Sequence, residues 1–159
     1  MSCNYQLINP RPDNIINNLL KNRKIPNICV YRCSNQDFIV GYDFNNESSY
    51  WFIVVSDLLM NNLCIDEIEW IVLHEVAHIC FKDKPTIATT PDIEKRADLW
   101  AANQQKTKRW GISALHKIPS LLGKTIYDTR HLQILHEGEH PFRFIDYINA
   151  LDNSLPYLL

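Results

Sequence analysis

The chain has 159 residues, of which 46% are hydrophobic and 21% charged, and its formal net charge is -2. This length suits a single domain with a real core, and the charge argues against a nucleic-acid-binding surface. No apolar run approaches the roughly 18 residues of a membrane span, so we expect neither nucleic acid nor a membrane as a partner. The start, MSCNYQLINPRPDN, has no basic segment followed by an apolar one, so we expect no secretory signal.

The five cysteines are an odd number, and no two of them form a C-x-x-C pair. Cys29 and Cys33 would lie about 13 Å apart on a strand, which is too far to share a metal ion. We therefore expect reduced thiols and a cytoplasmic protein.

The first part of the chain predicts one helix followed by three strands. Pro12 to Lys24 is typical of a helix, with Pro12 in its first position and an apolar stripe behind it. Asn27–Arg32 and Asp37–Asp43 are short runs of β-branched and aromatic residues, which indicate a pair of neighbouring strands. Tyr50–Ser56, with the sequence YWFIVVS, is the most strand-like segment of the chain.

A longer helix is predicted from Asp66 to Asp83, after a short one over Asp57–Asn62. Asp66 followed by Glu69 is typical of a capping box at a helix start. Apolar residues recur through the stretch, and no Gly or Pro interrupts it before Lys84-Pro85.

The longer helix contains His74-Glu75-Val76-Ala77-His78, which fits H-E-x-x-H, the pattern of a zinc-peptidase helix. Residues four apart lie on one helix face, so His74 and His78 could aim two imidazoles at one metal ion. Glu75 is placed to hold and deprotonate a water on that metal. The alternative is a buried helix with two hydrogen-bonded core histidines, although two histidines and a glutamate are costly to bury without a purpose.

A further helix is predicted from Pro91 to about Lys108, and it offers the rest of a metal site. A catalytic zinc needs a third protein ligand and an open position, and two histidines with one glutamate are a recurring set. Glu94, 16 positions after His78, is far enough along the chain to reach the metal from a second packed helix. Asp98, one turn on, could accept the other ring N–H of a ligand histidine. The alternative is a solvated charged face shared with the two basic residues between them.

Taken together, YWFIVVSDLLMNN, DEIEWIVLHEVAHI and EKRADLWAA resemble the gluzincin metallopeptidases. The resemblance is greatest to the soluble mini-gluzincins and to the catalytic core of the prenyl-protein and heat-shock membrane endopeptidases. The spacing of Glu94, Ala97, Trp100 and Ala101 also resembles the ImmA/IrrE-type peptidases of phages and bacteria, and a Lit-type phage-exclusion peptidase is a further alternative. The resemblance spans Asn27 to Ala102, about half of the chain. The spanning helices of the membrane relatives are missing, so membrane substrates do not carry over.

What the resemblance implies is an α+β, zincin-like single domain over 1–159, with a core at 27–110 and a C-terminal helical part at 111–159. A small mixed or antiparallel sheet of about three strands would pack on the motif helix and the ligand helix. Tyr50–Ser56 would form the sheet edge above the cleft. One zinc ion would be held by His74, His78 and Glu94, with Glu75 as general base and Asp98 orienting His74.

The last third predicts a helix over Ile112–Leu122, with a kink or a break at Pro119. Amide hydrolysis needs a donor aimed at the developing oxyanion, and the candidates are Tyr127, His131, His140, Arg143 and Tyr147. His140-Pro141 with Arg143 resembles the segment that closes the domain in the membrane endopeptidases, with tighter spacing here. A fourth protein ligand, such as His131, His136 or His140, would instead indicate a structural metal site.

The sequence therefore predicts a zinc-dependent endopeptidase that acts on a peptide or protein substrate. The alternative is a regulatory or binding module of phage or bacterial origin, gated by a protein partner, that keeps a zincin fold and its zinc site with little or no activity. A helical protein without metal is a third alternative.

Overall fold

The computed structural model describes residues 9–25, 27–34, 40–83 and 91–122, with the side chains of Pro91, Pro119 and Leu122 left aside. The elements in chain order are β1 (Arg11–Pro12), α1 (Asn14–Asn22), β2 (Ile28–Cys33), β3 (Val40–Asn45), β4 (Tyr50–Ser56), α2 (Asp57–Asn62), α3 (Ile65–Cys80), α4 (Pro91–Gln105) and α5 (Arg109–Leu122). The predicted α+β class is confirmed. None of the helices in these ranges is long and apolar enough to span a membrane.

The strands form one mixed sheet in the order β1-β2-β4-β3, in which β2 runs parallel to β4 and β3 runs antiparallel to it. Ile53 of β4 lies between Val30 of β2 and Tyr42 of β3. Ile53, Val54 and Val55 are all buried. A continuous apolar run is typical of a strand covered on both faces, and this run lies in the middle of the described sheet.

Three expectations about the sheet are wrong. Within the described ranges it has four strands, where about three were expected, because the two-residue strand β1 pairs with β2. The strands β2 and β3 are not neighbours, since β4 lies between them. For the same reason Tyr50–Ser56 is not the sheet edge, and among the strands that the structure describes β3 lies at that edge. The composition of β3, which includes Gly41 and Asp43, suits an edge better than the apolar β4 does.

The start of α1 also differs from the expectation. Pro12 does not open the helix but lies in β1, where it pairs with Tyr31. Asp13 caps α1 instead, and its side chain accepts a hydrogen bond from the Ile16 backbone N–H at 2.9 Å. Aspartate is among the strongest N-cap residues, and a proline is tolerated in an edge strand.

The helix α3 begins with a cap that lies two residues before the predicted one. Glu67 Oε1 accepts a hydrogen bond from the backbone N–H of Cys64 at 2.9 Å, so the expected box of Asp66 and Glu69 is wrong. Glu69 faces α1 and forms an ion pair with Arg23 at 3.0 Å.

The core lies between the sheet and α3, and α4 and α5 cover the other side of α3. Ala101 and Ala102 of α4 belong to this core, and Ala97 of the same helix is also fully buried. Because alanine is small, α4 approaches α3 closely, and this brings the polar residues of its first turns beside those of α3.

The helix α5 runs through Pro119 to Leu122, so the predicted break at this proline is wrong, whereas a kink stays a prediction. A proline removes one intrahelical hydrogen bond, and the packing of the helix outweighs that loss here, since Ala114 and Leu115 are buried in the core. Cys29, Cys33, Cys64 and Cys80, the cysteines in the described ranges, form no disulfide, and their reduced state stays a prediction. The domain limits and the cytoplasmic location stay predictions.

Candidate metal centre

Three side chains of α3 and α4 converge on one point. The Nε2 atoms of His74 and His78, four residues apart on α3, are 3.1 Å apart. Glu94 of α4 has Oε2 at 2.8 Å from His78 Nε2 and Oε1 at 3.5 Å from His74 Nε2. All three side chains are buried, and one ligand atom from each lies within 4.8 Å of the others. His74, His78 and Glu94 are therefore close enough to hold one metal ion.

The spacing of these atoms can be compared with that of a tetrahedral zinc site. Zinc bonds of 2.0–2.2 Å would separate the ligand atoms by about 3.3–3.6 Å. The nitrogen–nitrogen distance is 3.1 Å, and the nitrogen–oxygen distances are 2.8 Å to Glu94 Oε2 and 3.5 Å to Glu94 Oε1, so each differs from this range by about half an ångström or less. Two imidazole nitrogens and one carboxylate are also a recurring catalytic zinc set, which leaves one position for water or substrate. The residues present thus fit a zinc ion.

Behind the first histidine lies a carboxylate from α4. Asp98 Oδ1 is 2.6 Å from His74 Nδ1, and the Asp98 side chain is buried. An imidazole whose Nδ1 faces a carboxylate carries its proton there and keeps the Nε2 lone pair for the metal. The expected proximity of Asp98 to His74 is therefore observed, and its orienting role stays a prediction.

The second histidine has a carboxylate partner that the sequence did not indicate. Asp83 Oδ2 lies 2.9 Å from His78 Nδ1. In a continuous helix, Asp83 would point about 140° away from His78 around the axis. The helix instead ends at Cys80, Lys82 takes a positive φ of 61°, and the Asp83 backbone N–H donates to the His78 carbonyl at 2.9 Å. This turn folds Asp83 back onto the site, and no glycine marks it in the sequence.

Two aromatic rings flank the imidazoles. Tyr42 of β3 stacks on His78 with ring centroids 5.4 Å apart and an angle of 12° between the ring planes. Its hydroxyl donates to the Asp83 carbonyl at 2.8 Å. Trp70, one turn before His74, contacts that ring with centroids 5.8 Å apart. Sequence reasoning missed Tyr42 as well, because contacts between a strand and a distant helix have no local signal.

The surroundings of the two histidines favour positive charge. Burial lowers the pKa of His74, but the carboxylates of Asp98 and Glu94 outweigh it and raise that pKa well above its ordinary value. Burial and the charge of His74 also lower the pKa of His78, yet the hydrogen bond with Glu94 and the charge of Glu75 raise it overall. A buried position whose surroundings stabilise a protonated imidazole also stabilises a metal cation that takes the place of the proton.

Glu75, the expected general base, belongs to the same charged cluster. It is buried next to His74 on α3. The pKa of Tyr42 rises above its ordinary range because the ring is buried and because of the nearby charges, of which Glu75 contributes most, followed by Asp83 and Glu94. The charge of Glu75 therefore acts on Tyr42 of β3 as well as on His78.

The remaining predicted site residues lie outside the described part of the chain. They are Tyr127, His131, His136, His140, Arg143 and Tyr147. The oxyanion donor and the question of a fourth ligand therefore stay predictions.

Comparison of the chain with protein-family models, with curated proteins and with solved structures found no match. The resemblance to the gluzincin metallopeptidases stays a prediction.

Proposed function

We propose that the protein is a zinc-dependent endopeptidase that hydrolyses peptide bonds. The observation that carries this proposal is the convergence of His74, His78 and Glu94 on one buried point, with Glu75 beside the first ligand. A bound Zn²⁺ would polarise the scissile carbonyl and lower the pKa of a water molecule towards neutrality.

Glu75 is the group that moves the proton in this proposal. Its carboxylate accepts a proton from the attacking water and then delivers that proton to the leaving amine. Its nearness to the ligand set is supported by its effect on the pKa of His78 and Tyr42. Removal of a positioned acid–base group typically costs about 10²–10⁴-fold in rate.

The substrate would bind as an extended strand beside β3. In the described ranges β3 has β4 as its one strand neighbour, and its residue Tyr42 stacks on His78. A peptide that adds to this edge gains main-chain hydrogen bonds and passes the metal centre. This edge, Val40–Asn45, replaces Tyr50–Ser56 as the proposed peptide-binding strand.

The test compares two glutamates of α3. The zinc-loaded wild-type protein is expected to cleave members of a mixed peptide library, and mass spectrometry detects the cleavage products. Glu75→Gln should keep zinc and lose cleavage, whereas Glu69→Gln, which removes a buried glutamate paired with Arg23, should keep both. Full cleavage by Glu75→Gln would overturn the mechanism. Zinc binding without cleavage by the wild type would favour the partner-gated regulatory module.

A further inference from the structure

We propose that Asp83 is a positioning residue, which holds His78 in the tautomer and ring orientation that a metal ion requires. The inference rests on the proposed zinc site and deepens it by naming a residue that acts on the ion through a ligand. It concerns the turn after α3, which carries no part of the H-E-x-x-H pattern.

Each oxygen of the Asp83 carboxylate has its own partner. Oδ2 lies 2.9 Å from His78 Nδ1, and Oδ1 lies 2.7 Å from Arg96 Nη2. The guanidinium of Arg96 stacks in turn on the Phe81 ring, 4.2 Å from its centroid. With one oxygen engaged by a cation, the other is held towards the imidazole. A carboxylate in that position accepts a hydrogen bond from the Nδ1–H group and leaves the Nε2 lone pair facing His74 and Glu94.

The backbone of Asp83 is fixed as firmly as its side chain. Its N–H donates to the His78 carbonyl at 2.9 Å, and its own carbonyl accepts from the Tyr42 hydroxyl at 2.8 Å. Lys82, in the left-handed region with a φ of 61°, reverses the chain just before it. Asp83 therefore ties the metal-ligand helix α3 to the edge strand β3.

The ion pair with Arg96 adds α4 to this arrangement. Arg96 lies two residues after Glu94, the third ligand, on the same helix. The carboxylate that orients His78 thus also holds the first turns of α4 against the end of α3. A substitution of Asp83 should disturb both the orientation of His78 and the position of α4, whereas a substitution of Arg96 should leave the His78 contact in place.

The test measures the Zn²⁺ affinity of the full chain by competition with a chelator of known affinity. Asp83→Asn is expected to raise the zinc Kd roughly 10- to 100-fold, the usual effect of losing a hydrogen-bond partner of a ligand histidine. Arg96→Gln is expected to raise it by a smaller factor. Co²⁺ substitution gives a second readout. The visible absorption bands of Asp83→Asn should shift, because His78 is reoriented, whereas those of the control variant Asp57→Asn should not.

The matched control is Asp57→Asn. Asp57 also forms ion pairs, with Arg11 at 2.9 Å and Arg32 at 2.6 Å, and it lies at the start of α2 rather than on the ligand helices α3 and α4. Thermal unfolding of the metal-free variants should show comparable losses of stability for Asp57→Asn and Asp83→Asn, while only the latter loses zinc affinity. Asp83→Ser, which removes the carboxylate altogether, is expected to behave like Asp83→Asn and replaces it if that variant does not fold.

Three results would overturn the inference, and they are distinguishable. An unchanged zinc Kd in folded Asp83→Asn would overturn the role of Asp83 and leave the zinc site intact. An equal rise in Asp57→Asn would show that loss of stability, not orientation of His78, weakens binding. Absence of zinc binding by the wild-type protein would overturn the metal site together with this inference.

Discussion

Glu94 of α4 lies with Oε2 2.8 Å from Nε2 of His78 on α3, so a single carboxylate from the second helix completes the pair of imidazoles presented by the first. The approach depends on the fully buried alanines of α4 at positions 97, 101 and 102, which let the two helices pack closely. A buried group of two histidines and a glutamate costs stability unless something positive lies among them. A cation bound at this point would supply that positive charge.

Removal of the metal should lower the stability of the fold. A ligand present at about 100 times its Kd stabilises the native state by about 2.7 kcal/mol. For a chain of this size, that corresponds to a Tm shift of roughly 5–10 °C. Differential scanning fluorimetry with added Zn²⁺ and with a chelator measures the shift. Glu94→Gln should show no zinc-dependent rise, and a wild-type Tm that is indifferent to zinc would contradict the prediction.

The carboxylate of Asp98 should support zinc binding through His74. Asp98 Oδ1 is 2.6 Å from His74 Nδ1, and Asp98→Asn removes the charge while keeping the shape of the side chain. We expect the zinc Kd to rise roughly 10- to 100-fold. Asp92→Asn, an exposed aspartate of the same helix, is the control and should leave the affinity unchanged. Equal affinities of the two variants would exclude an orienting role for Asp98.

How much of this site could be predicted differs from residue to residue. His74, Glu75 and His78 lie within one helical turn or so, and their relation follows from helix geometry alone. The prediction that Glu94 and Asp98 lie near these residues depended on the hypothesis that a second helix packs against the first. Asp83 and Tyr42 escaped prediction because one depends on a left-handed turn at Lys82 and the other on a distant strand.

The sheet shows the same division between local and non-local information. The observed bounds of β4 and α2 agree with the predicted Tyr50–Ser56 and Asp57–Asn62. Both segments could be predicted because each has a local signal in the sequence. Strand order has no such signal, and alternation within a strand does not name its partner. The burial of Ile53, Val54 and Val55 agrees with the central place of β4. That burial is known only once the sheet is assembled.

Acid should destabilise the metal-free protein through Glu67, which is fully buried. Burial alone would raise the pKa of Glu67, but hydrogen bonds from Ser113, the Cys64 backbone and Lys117 outweigh it and lower that pKa to about 2. A depressed native pKa gives stability that is present above the unfolded value of 4.5 and is lost as the pH falls towards about 2. The loss amounts to about 3 kcal/mol.

Urea unfolding with chelator at several pH values between 5 and 2 measures this loss. Glu67→Gln should flatten the pH dependence of the unfolding free energy. Glu47→Gln, an exposed glutamate in a turn, should leave it as in the wild type. Identical pH profiles for Glu67→Gln and the wild type would contradict the assignment.

Gly111 should be intolerant of a side chain even though it lies within α5. A Cβ at this position would be 2.5 Å from Trp70 Nε1 and 2.6 Å from Cε2 of the same ring. Overpacking typically costs about 1–3 kcal/mol, which exceeds the gain of about 1 kcal/mol from replacing a helical glycine by alanine. Gly111→Ala should therefore lower the free energy of unfolding and shift tryptophan fluorescence. Ser120→Ala, on the exposed side of α5, should do neither, and a stabilised Gly111→Ala would refute this packing.

The most direct test of the account is the metal content of the purified chain. Elemental analysis of the wild-type protein, after exposure to Zn²⁺ and removal of the excess, should give one zinc per chain. His78→Ala and Glu94→Gln should lose that zinc, while the control Asp57→Asn should retain it. A folded wild-type protein that binds no zinc, or that binds it equally well without His78 and Glu94, would contradict the account.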